Sequence, residues 1–297
     1  MAPFVTVVIP TYNCADYLKR ALNSVFSQTY QNFEVIVVDN SSTDNTEDVL
    51  SSFDDKRLTV IKVNNNGIIA HSRNKGIKNA KGEWIAFLDS DDVWLSTKLD
   101  KVRKSIINNP EAILVCHDEW HFDNKNKIKR LKYGTKEDDL YESLLFNGNC
   151  LSTSAVSLNS EIAKKSEGFS VKKEFVTVED YEYWIRLAQI GEIDFIHEVL
   201  GEWHTHDSNE SGNSLVHANA LVDLMNYHYN IYAENHNVLG NLFYKGRAKY
   251  FGIAANILRR GKYYDKAIKY SKEGIKYYPL FWKNWVVIIL SYFRKIV

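Results

Sequence analysis

Three carboxylates, Asp89, Asp91 and Asp92, directly follow the apolar run Trp84-Ile-Ala-Phe-Leu88. A short apolar run bounded by Lys81-Gly82-Glu83 reads as a buried parallel strand. Open α/β sheets take their ligands beyond the carboxyl ends of such strands. Like charges this close repel one another unless a cation or strong donors sit among them. Hard oxygen ligands suit magnesium or manganese, with a substrate diphosphate completing the shell. An acidic turn with Asp as a helix cap is the plainer alternative for the same residues. A second acidic pair, Glu179-Asp180, opens a stretch in which Trp184, Ile185, Leu187 and Ala188 give a helix a buried side. A helix amino terminus favours negative charge on its own account, so this pair also has a structural reading. His117-Asp-Glu-Trp-His121 holds two histidines and two acids, yet reads best as an alternating strand.

The elements that must position these groups alternate. Val5 to Ile9 is a first strand, ended by Pro10-Thr-Tyr-Asn13, and Leu18, Ala21, Leu22, Val25 and Phe26 then follow helical spacing. Phe33 to Val38 is a second strand, running into Asp39-Asn40-Ser41-Ser42-Thr43-Asp44, and Asp44 with Thr46 suits a helix cap. Leu58 to Val63 is a third strand, and a helix from about Ile68 to Asn79 carries His71, Arg73 and Asn74. This order predicts right-handed βαβ units and an α/β fold with a mostly parallel sheet flanked by helices. Farther on, Lys98 to Asn108 reads as a helix and Ala112 to Cys116 as a strand. The polar stretch Asp123 to Lys132 suits a hairpin or mobile loop, and Asn149 to Leu158, rich in small and hydroxyl residues, suits a site floor.

Four segments together resemble the family 2 glycosyltransferases: Val7-Val-Ile-Pro-Thr-Tyr-Asn13, Glu34-Val-Ile-Val-Val-Asp-Asn-Ser-Ser-Thr-Asp44, Arg73-Asn74-x-Gly76 and Phe87-Leu-Asp-Ser-Asp-Asp92. The resemblance covers roughly residues 1–215 and implies a GT-A-type fold that uses a nucleotide-diphosphate sugar, UDP-sugar favoured, in an inverting transfer. It implies a nucleotide-sugar half at 1–100, an acceptor and catalytic-base half at 101–217, and an all-helical region at 218–297. Thr11, Asp39, Asn40, Arg73, Asp89 and Ser90 would lie on the nucleotide side. Asp39-Asn40-Ser41-Ser42 departs from the family's more usual Asp-Asp-Gly-Ser, which bears on how the base is contacted. Asp91, with Asp89, would hold Mn2+ or Mg2+, and Asp92 would serve the metal's surroundings or the acceptor. Asp180 matches the family's catalytic base and Trp184 its following Trp, with Glu179 in support. Trp203-His-Thr-His-Asp-Ser-Asn-Glu-Ser211 is similar to the family's Tyr-Arg-x-His-x-x-Ser-x-Ser, making His206 a metal or diphosphate ligand and setting His204 where an Arg is usual. The expected acceptor is a glycan or lipid-linked hydroxyl in cell-surface polysaccharide, lipopolysaccharide or glycolipid synthesis. A sugar-1-phosphate nucleotidylyltransferase would need a Gly-rich loop where Pro10-Thr-Tyr-Asn13 stands. A catalytically inactive scaffold that binds a partner through its helical tail is the remaining alternative.

Cys14, Cys116 and Cys150 show neither an even count nor CxxC spacing, which argues against a disulfide framework or zinc site and for a reducing cytosol. The opening residues have no signal-peptide pattern. The formal net charge of zero is unevenly spread: from Gly240 onward there are 13 Lys and Arg against 2 Asp and Glu. A basic, helical tail of this kind suits an anionic membrane surface rather than nucleic acid, at the inner face of the cytoplasmic membrane, with packing of its Trp and Val-Ile residues on the catalytic body or a second subunit as the alternative. Gly261 to Pro279 resembles the second half of one tetratricopeptide unit, with Gly274 replacing an alanine, and reads as a helical hairpin. Leu280 to Phe293 is strongly apolar but too short to span a bilayer, which takes about 20 residues.

Overall fold

The computed structural model describes residues 4–123, 126–134, 139–206, 213–236 and 239–296. It comprises two compact units. The first is Met1–Lys136, Cys150–Ser170 and Arg186–His206; the second is Glu137–Asn149, Val171–Ile185 and Asp207–Val297.

The first unit is built on one sheet. Its strands are β1 (Val5–Thr11), β2 (Phe33–Asp39), β3 (Leu58–Lys62), β4 (Trp84–Phe87), β5 (Val93–Trp94), β6 (Ala112–Asp123), β7 (Asn126–Leu131), β8 (Ser157–Asn159) and β9 (Glu192–Thr205). Among the described residues they lie in the order β3-β2-β1-β4-β8-β6-β9-β5, with β7 paired to β6. The run β3-β2-β1-β4 is wholly parallel, as the alternating pattern predicts. Beyond β4 the sheet mixes: β8 is antiparallel to both β4 and β6, whereas β6 and β9 run parallel. Helices α1 (Ala15–Phe26), α2 (Thr46–Ser51), α3 (Ile69–Asn79), α4 (Lys98–Asn108) and α6 (Ser160–Lys165) complete the unit.

Strand β1 is buried along its length because it has neighbours on both sides. Pro10 is tolerated there because pairing to β4 ends at Val8, so its missing N–H interrupts nothing on that side. Helix α1 buries Leu18, Ala21, Leu22 and Val25 against a core that includes Val7, Ile9, Val35, Val37, Ala86 and Leu88. Helix α3 approaches β1 through Gly76, where a Cβ would collide with the Val8 side chain. Strand β6 runs farther than the apolar stretch that marked it, through His117 and Glu119 to Asp123, and pairs antiparallel with β7.

The second unit is helical: α5 (Leu140–Asn147), the first seven residues of α7 (Glu179–Leu187), α8 (Ser214–Asn235), α9 (Asn241–Arg260), α10 (Tyr264–Tyr277) and α11 (Trp282–Ile296). Ala218, Val222, Ala254, Ala255, Leu258, Ala267 and Val287 form its core. Small residues let these helices approach closely. The hydroxyls of Tyr181 on α7 and Tyr250 on α9 meet each other and the Leu144 carbonyl of α5.

Candidate active site

The carboxyl ends of β1, β2 and β4 carry Thr11, Asp39 and the loop Asp89 to Asp92. Thr11 is buried, and its Oγ1 has no partner among the described residues. Asp39 Oδ1 accepts from the Ser42 amide (3.1 Å) and the Ser42 hydroxyl (2.6 Å), fixing the turn that follows β2. Ser41 in that turn has φ 56°, a left-handed conformation where glycine is the easier residue, and its Oγ bonds the Val63 carbonyl at 2.7 Å. Asn40 Oδ1 accepts from the Asn65 amide at 2.7 Å, so its amide NH2 is the group left to meet a ligand. Asp44 caps two helices: Oδ1 accepts from Thr46 and Oδ2 from the Ala15 amide at 3.0 Å.

Arg73 is buried on α3, and its Nη2 donates to Asp89 Oδ1 at 2.7 Å. Its guanidinium also lies over the Phe169 ring, 5.3 Å from the centroid. The next residue, Asn74, clamps Phe169 from both sides of its amide, with Nδ2 to the carbonyl at 2.7 Å and Oδ1 from the N–H at 2.8 Å. Gly168 has φ 69° and leaves no room for a Cβ beside Asn74.

The neighbouring carboxylates part company. Asp92 turns inward: Oδ2 accepts from Ser154 Oγ (2.5 Å) and Oδ1 from the His204 amide (2.8 Å). Ser154 Oγ in turn accepts from the Asp89 amide at 3.1 Å. Burial, then the nearby Asp91 and Glu119 charges, hold Asp92 well above the ordinary carboxylate range. Asp91 keeps a partly open side chain, and its Oδ2 lies 3.1 Å from His206 Nε2. Burial, then Asp89, raises Asp91 as well, while His206 pulls the other way. Ser90 hydrogen-bonds the Cys14 thiol, which burial pushes up to about 11.

Helix α1 supplies two side chains to this corner that composition and spacing do not reveal. Tyr17 stacks on His206, with centroids 4.6 Å apart and planes at 17°. Arg20 Nη2 and Glu202 Oε2 both lie against His204 Nε2, at 3.0 and 3.1 Å, and Phe122 stacks on the same imidazole. A guanidinium therefore stands beside residue 204 although the chain itself carries a histidine there. Residues 207–211 of the histidine-containing segment lie outside the described residues.

Asp91 and His206 fit a divalent ion. Adjacent donors on an octahedral ion with bonds of about 2.1 Å lie about 3 Å apart, and these two are 3.1 Å apart. Among the described residues no three His, Cys, Asp or Glu side chains form a metal cage. Behind the loop, on β6, Glu119 is fully buried and pushed up to about 7, chiefly by burial. Tyr133 donates to it at 2.9 Å. His117 and His121 of the same strand bond the Asp118 carbonyl and the Thr205 hydroxyl.

In the second unit, Glu179 and Asp180 sit at the amino end of α7. Glu179 is buried, whereas Asp180 is half-buried, and Asp180 Oδ1 accepts from the Tyr181 amide at 2.6 Å. Trp184 is fully buried and anchors the helix. The approach to α7 is strained: Thr177 has φ 77°, an outlier for a β-branched residue, and its hydroxyl bonds His217 Nδ1 at 3.0 Å.

A parallel βαβ sheet with an acidic loop beyond its fourth strand, continued by mixed strands, defines a GT-A-type glycosyltransferase fold. The chain belongs to the family described as Glycosyl transferase family 2, whose model matches residues 6–164. It is 31% identical over 187 residues to the Escherichia coli UDP-Glc:alpha-D-GlcNAc-diphosphoundecaprenol beta-1,3-glucosyltransferase WfaP, covering 63% of this chain and 71% of WfaP. It is 30% identical over 214 residues to the putative teichuronic acid biosynthesis glycosyltransferase TuaG of Bacillus subtilis, covering 71% of this chain and 82% of TuaG. Among solved structures, S. aureus TarS in complex with UDP superposes with a TM-score of 0.67 at 19% identity, over 93% of this chain and 81% of that one. The mannosyltransferase PcManGT of Pyrobaculum calidifontis, in complex with GDP-Man and Mn2+, gives 0.58 at 17% identity, over 100% and 88%. At such identities these likenesses bear on the fold alone.

Proposed function

We propose that this glycosyltransferase moves a sugar, with inversion, from a UDP-sugar to a hydroxyl of a glycan or lipid-linked acceptor in cell-surface polysaccharide or glycolipid synthesis. The observation that carries the reading is the Asp91–His206 pair beyond β4, flanked by the Arg73–Asp89 ion pair. The names of WfaP and TuaG support the acceptor class, and the UDP in the TarS complex supports the nucleotide.

In this reading residues 1–100 bind the nucleotide sugar, 101–217 contribute the acceptor side and base, and 218–297 dock the enzyme. Thr11 and Asn40 meet the base, with Asp39 holding their turn in shape. Asp89, oriented by Arg73, accepts from the ribose hydroxyls, and Ser90 lines the diphosphate. Asp91 and His206, with Asp89 nearby, hold Mn2+ or Mg2+. Such an ion offsets the charge that grows on the departing nucleoside diphosphate. Asp180 accepts the proton of the attacking hydroxyl as the new bond forms at the anomeric carbon, and Glu179 supports it. A lipid-linked acceptor sets the reaction at the inner face of the cytoplasmic membrane.

The test is a thermal-shift panel of UDP- and GDP-sugars with and without Mn2+, followed by transfer assays with the donor that binds. A ligand that binds only the native state raises the melting temperature, by about 2.7 kcal/mol of stabilisation at one hundred times its Kd. A shift with UDP-sugars that requires the metal supports the reading. No shift with any nucleotide sugar refutes it and favours a scaffold.

A further inference from the structure

Helix α11 is built inside out. Its inward residues include Asn284 and Ser291, both 0% exposed, whereas Trp282 is 63% and Phe293 68% exposed. A surface helix normally shows the reverse, apolar residues inward and polar residues to water. Trp282, Trp285, Val286, Ile289 and Phe293 recur at helical spacing on the outer side. The inward Asn284 has a packing reason: its Nδ2 donates to the Ala248 carbonyl at 3.0 Å, in a slot open only because residues 252 and 274 are glycines. The outer Trp285 has its single polar atom satisfied, Nε1 to the Pro279 carbonyl at 2.9 Å, so the indole offers an apolar face. The interior of the unit therefore does not require α11 to be this apolar.

Charge decides what the face meets. Lys283 of α11 is exposed beside Trp282, and it lies near enough to Lys249 of α9 for the two charges to act on one another, although Lys249 is half-buried and donates to the Asn147 carbonyl at 2.7 Å. The whole stretch from Gly240 carries 13 basic against 2 acidic residues. Aromatic residues rimmed by lysines suit a headgroup layer of anionic lipid. Among the described residues no helix is long and apolar enough to cross a membrane, so α11 would lie in the plane of the interface.

We propose that the outer face of α11, with Lys283 beside it, is a docking surface for an anionic lipid bilayer. The surface rests on the glycosyltransfer reading only for its purpose, which is to bring the site to an acceptor held in the membrane. The test is flotation of the full chain with vesicles of phosphatidylcholine alone or with phosphatidylglycerol added, at low and high salt. The wild type should float only with the anionic vesicles and lose binding as salt rises. Trp285→Glu with Ile289→Glu should abolish flotation, and Lys283→Glu should weaken it by about fivefold or more, since one basic residue near an anionic leaflet accounts for about that factor. All three proteins should keep the same Mn2+-dependent thermal shift with UDP, which separates loss of docking from loss of nucleotide binding. Flotation indifferent to lipid charge, or none at all, overturns the proposal. A wild-type dimer in light scattering that the double variant makes monomeric also overturns it, because a second copy then covers the face.

Discussion

His206 Nε2 stands 3.1 Å from Asp91 Oδ2, and Asp92 ties the two segments that carry them. One Asp92 oxygen holds the His204 amide and the other holds Ser154, which holds the Asp89 amide. Two candidate metal donors separated by 115 positions in the chain are thus set by one buried carboxylate between them.

Asp91→Ala should remove the metal dependence of nucleoside diphosphate binding while the fold persists, because the side chain is partly open and its neighbour Asp92 does the bracing. Calorimetric titration of UDP with and without Mn2+ reads this directly. A variant that keeps the wild-type metal response places the ion elsewhere, at Asp89 or His206.

Asp180→Asn should leave UDP binding nearly intact and reduce sugar transfer by about 10²–10⁴-fold, the usual contribution of a general base. The amide is nearly isosteric, keeps an acceptor oxygen for the Tyr181 amide, and cannot take the hydroxyl proton. Transfer within about tenfold of wild type would falsify the assignment.

Glu119 makes stability depend on pH. Its folded pKa of about 7 lies above the ordinary 4.5, so the folded state holds the proton more tightly than the unfolded state does. Its contribution is complete below 4.5 and is lost as pH rises through about 7. The loss is at most about 3–4 kcal/mol, since each tenfold gain in proton affinity on folding is worth about 1.4 kcal/mol. Glu119→Gln stays neutral, so its melting temperature relative to wild type should rise between pH 5 and pH 8. A difference that stays flat with pH sinks this account. Tyr133, Ser152, Asp89, Lys98 and the buried Asp92 are groups that interact with the carboxyl, and all are retained in that variant.

Gly274→Ala should destabilise the helical unit despite alanine's better helix propensity, which favours it by about 1 kcal/mol. The new methyl would meet Asn284 Nδ2 and, at 3.0 Å, the Ala248 carbonyl. Overpacking of this kind costs about 1–3 kcal/mol. Faster hydrogen exchange in α11 together with a lower melting temperature is the expected result. A higher melting temperature would mean that Asn284 moves aside freely.

Much of the parallel part of the sheet, from β1 to β4, is legible in the chain itself. Trp84 to Leu88, the Asp loop after it and the alternation of Val-rich runs with amphipathic helices are local signals, because strand burial and helix faces follow from residues a few positions apart. The same holds for α4 at Lys98–Asn108, and in part for the start of α2, where Asp44 accepts from Thr46 but Thr46 is the first helical residue rather than a cap. What residues 89–92 cannot disclose is direction: Asp91 faces out and Asp92 in only because Ser154 and the His204 amide, distant in sequence, converge on Asp92. Tyr17 and Arg20 read as an ordinary polar flank of α1 until β9 brings His206 and His204 against them. The apolarity of Leu280 to Phe293 is plain in the sequence, which by itself allows either packing on the body or a membrane-facing helix. That its apolar side faces outward was decided by packing, because Gly252 and Gly274 open a slot that only a small polar side chain such as Asn284 fills while satisfying the Ala248 carbonyl.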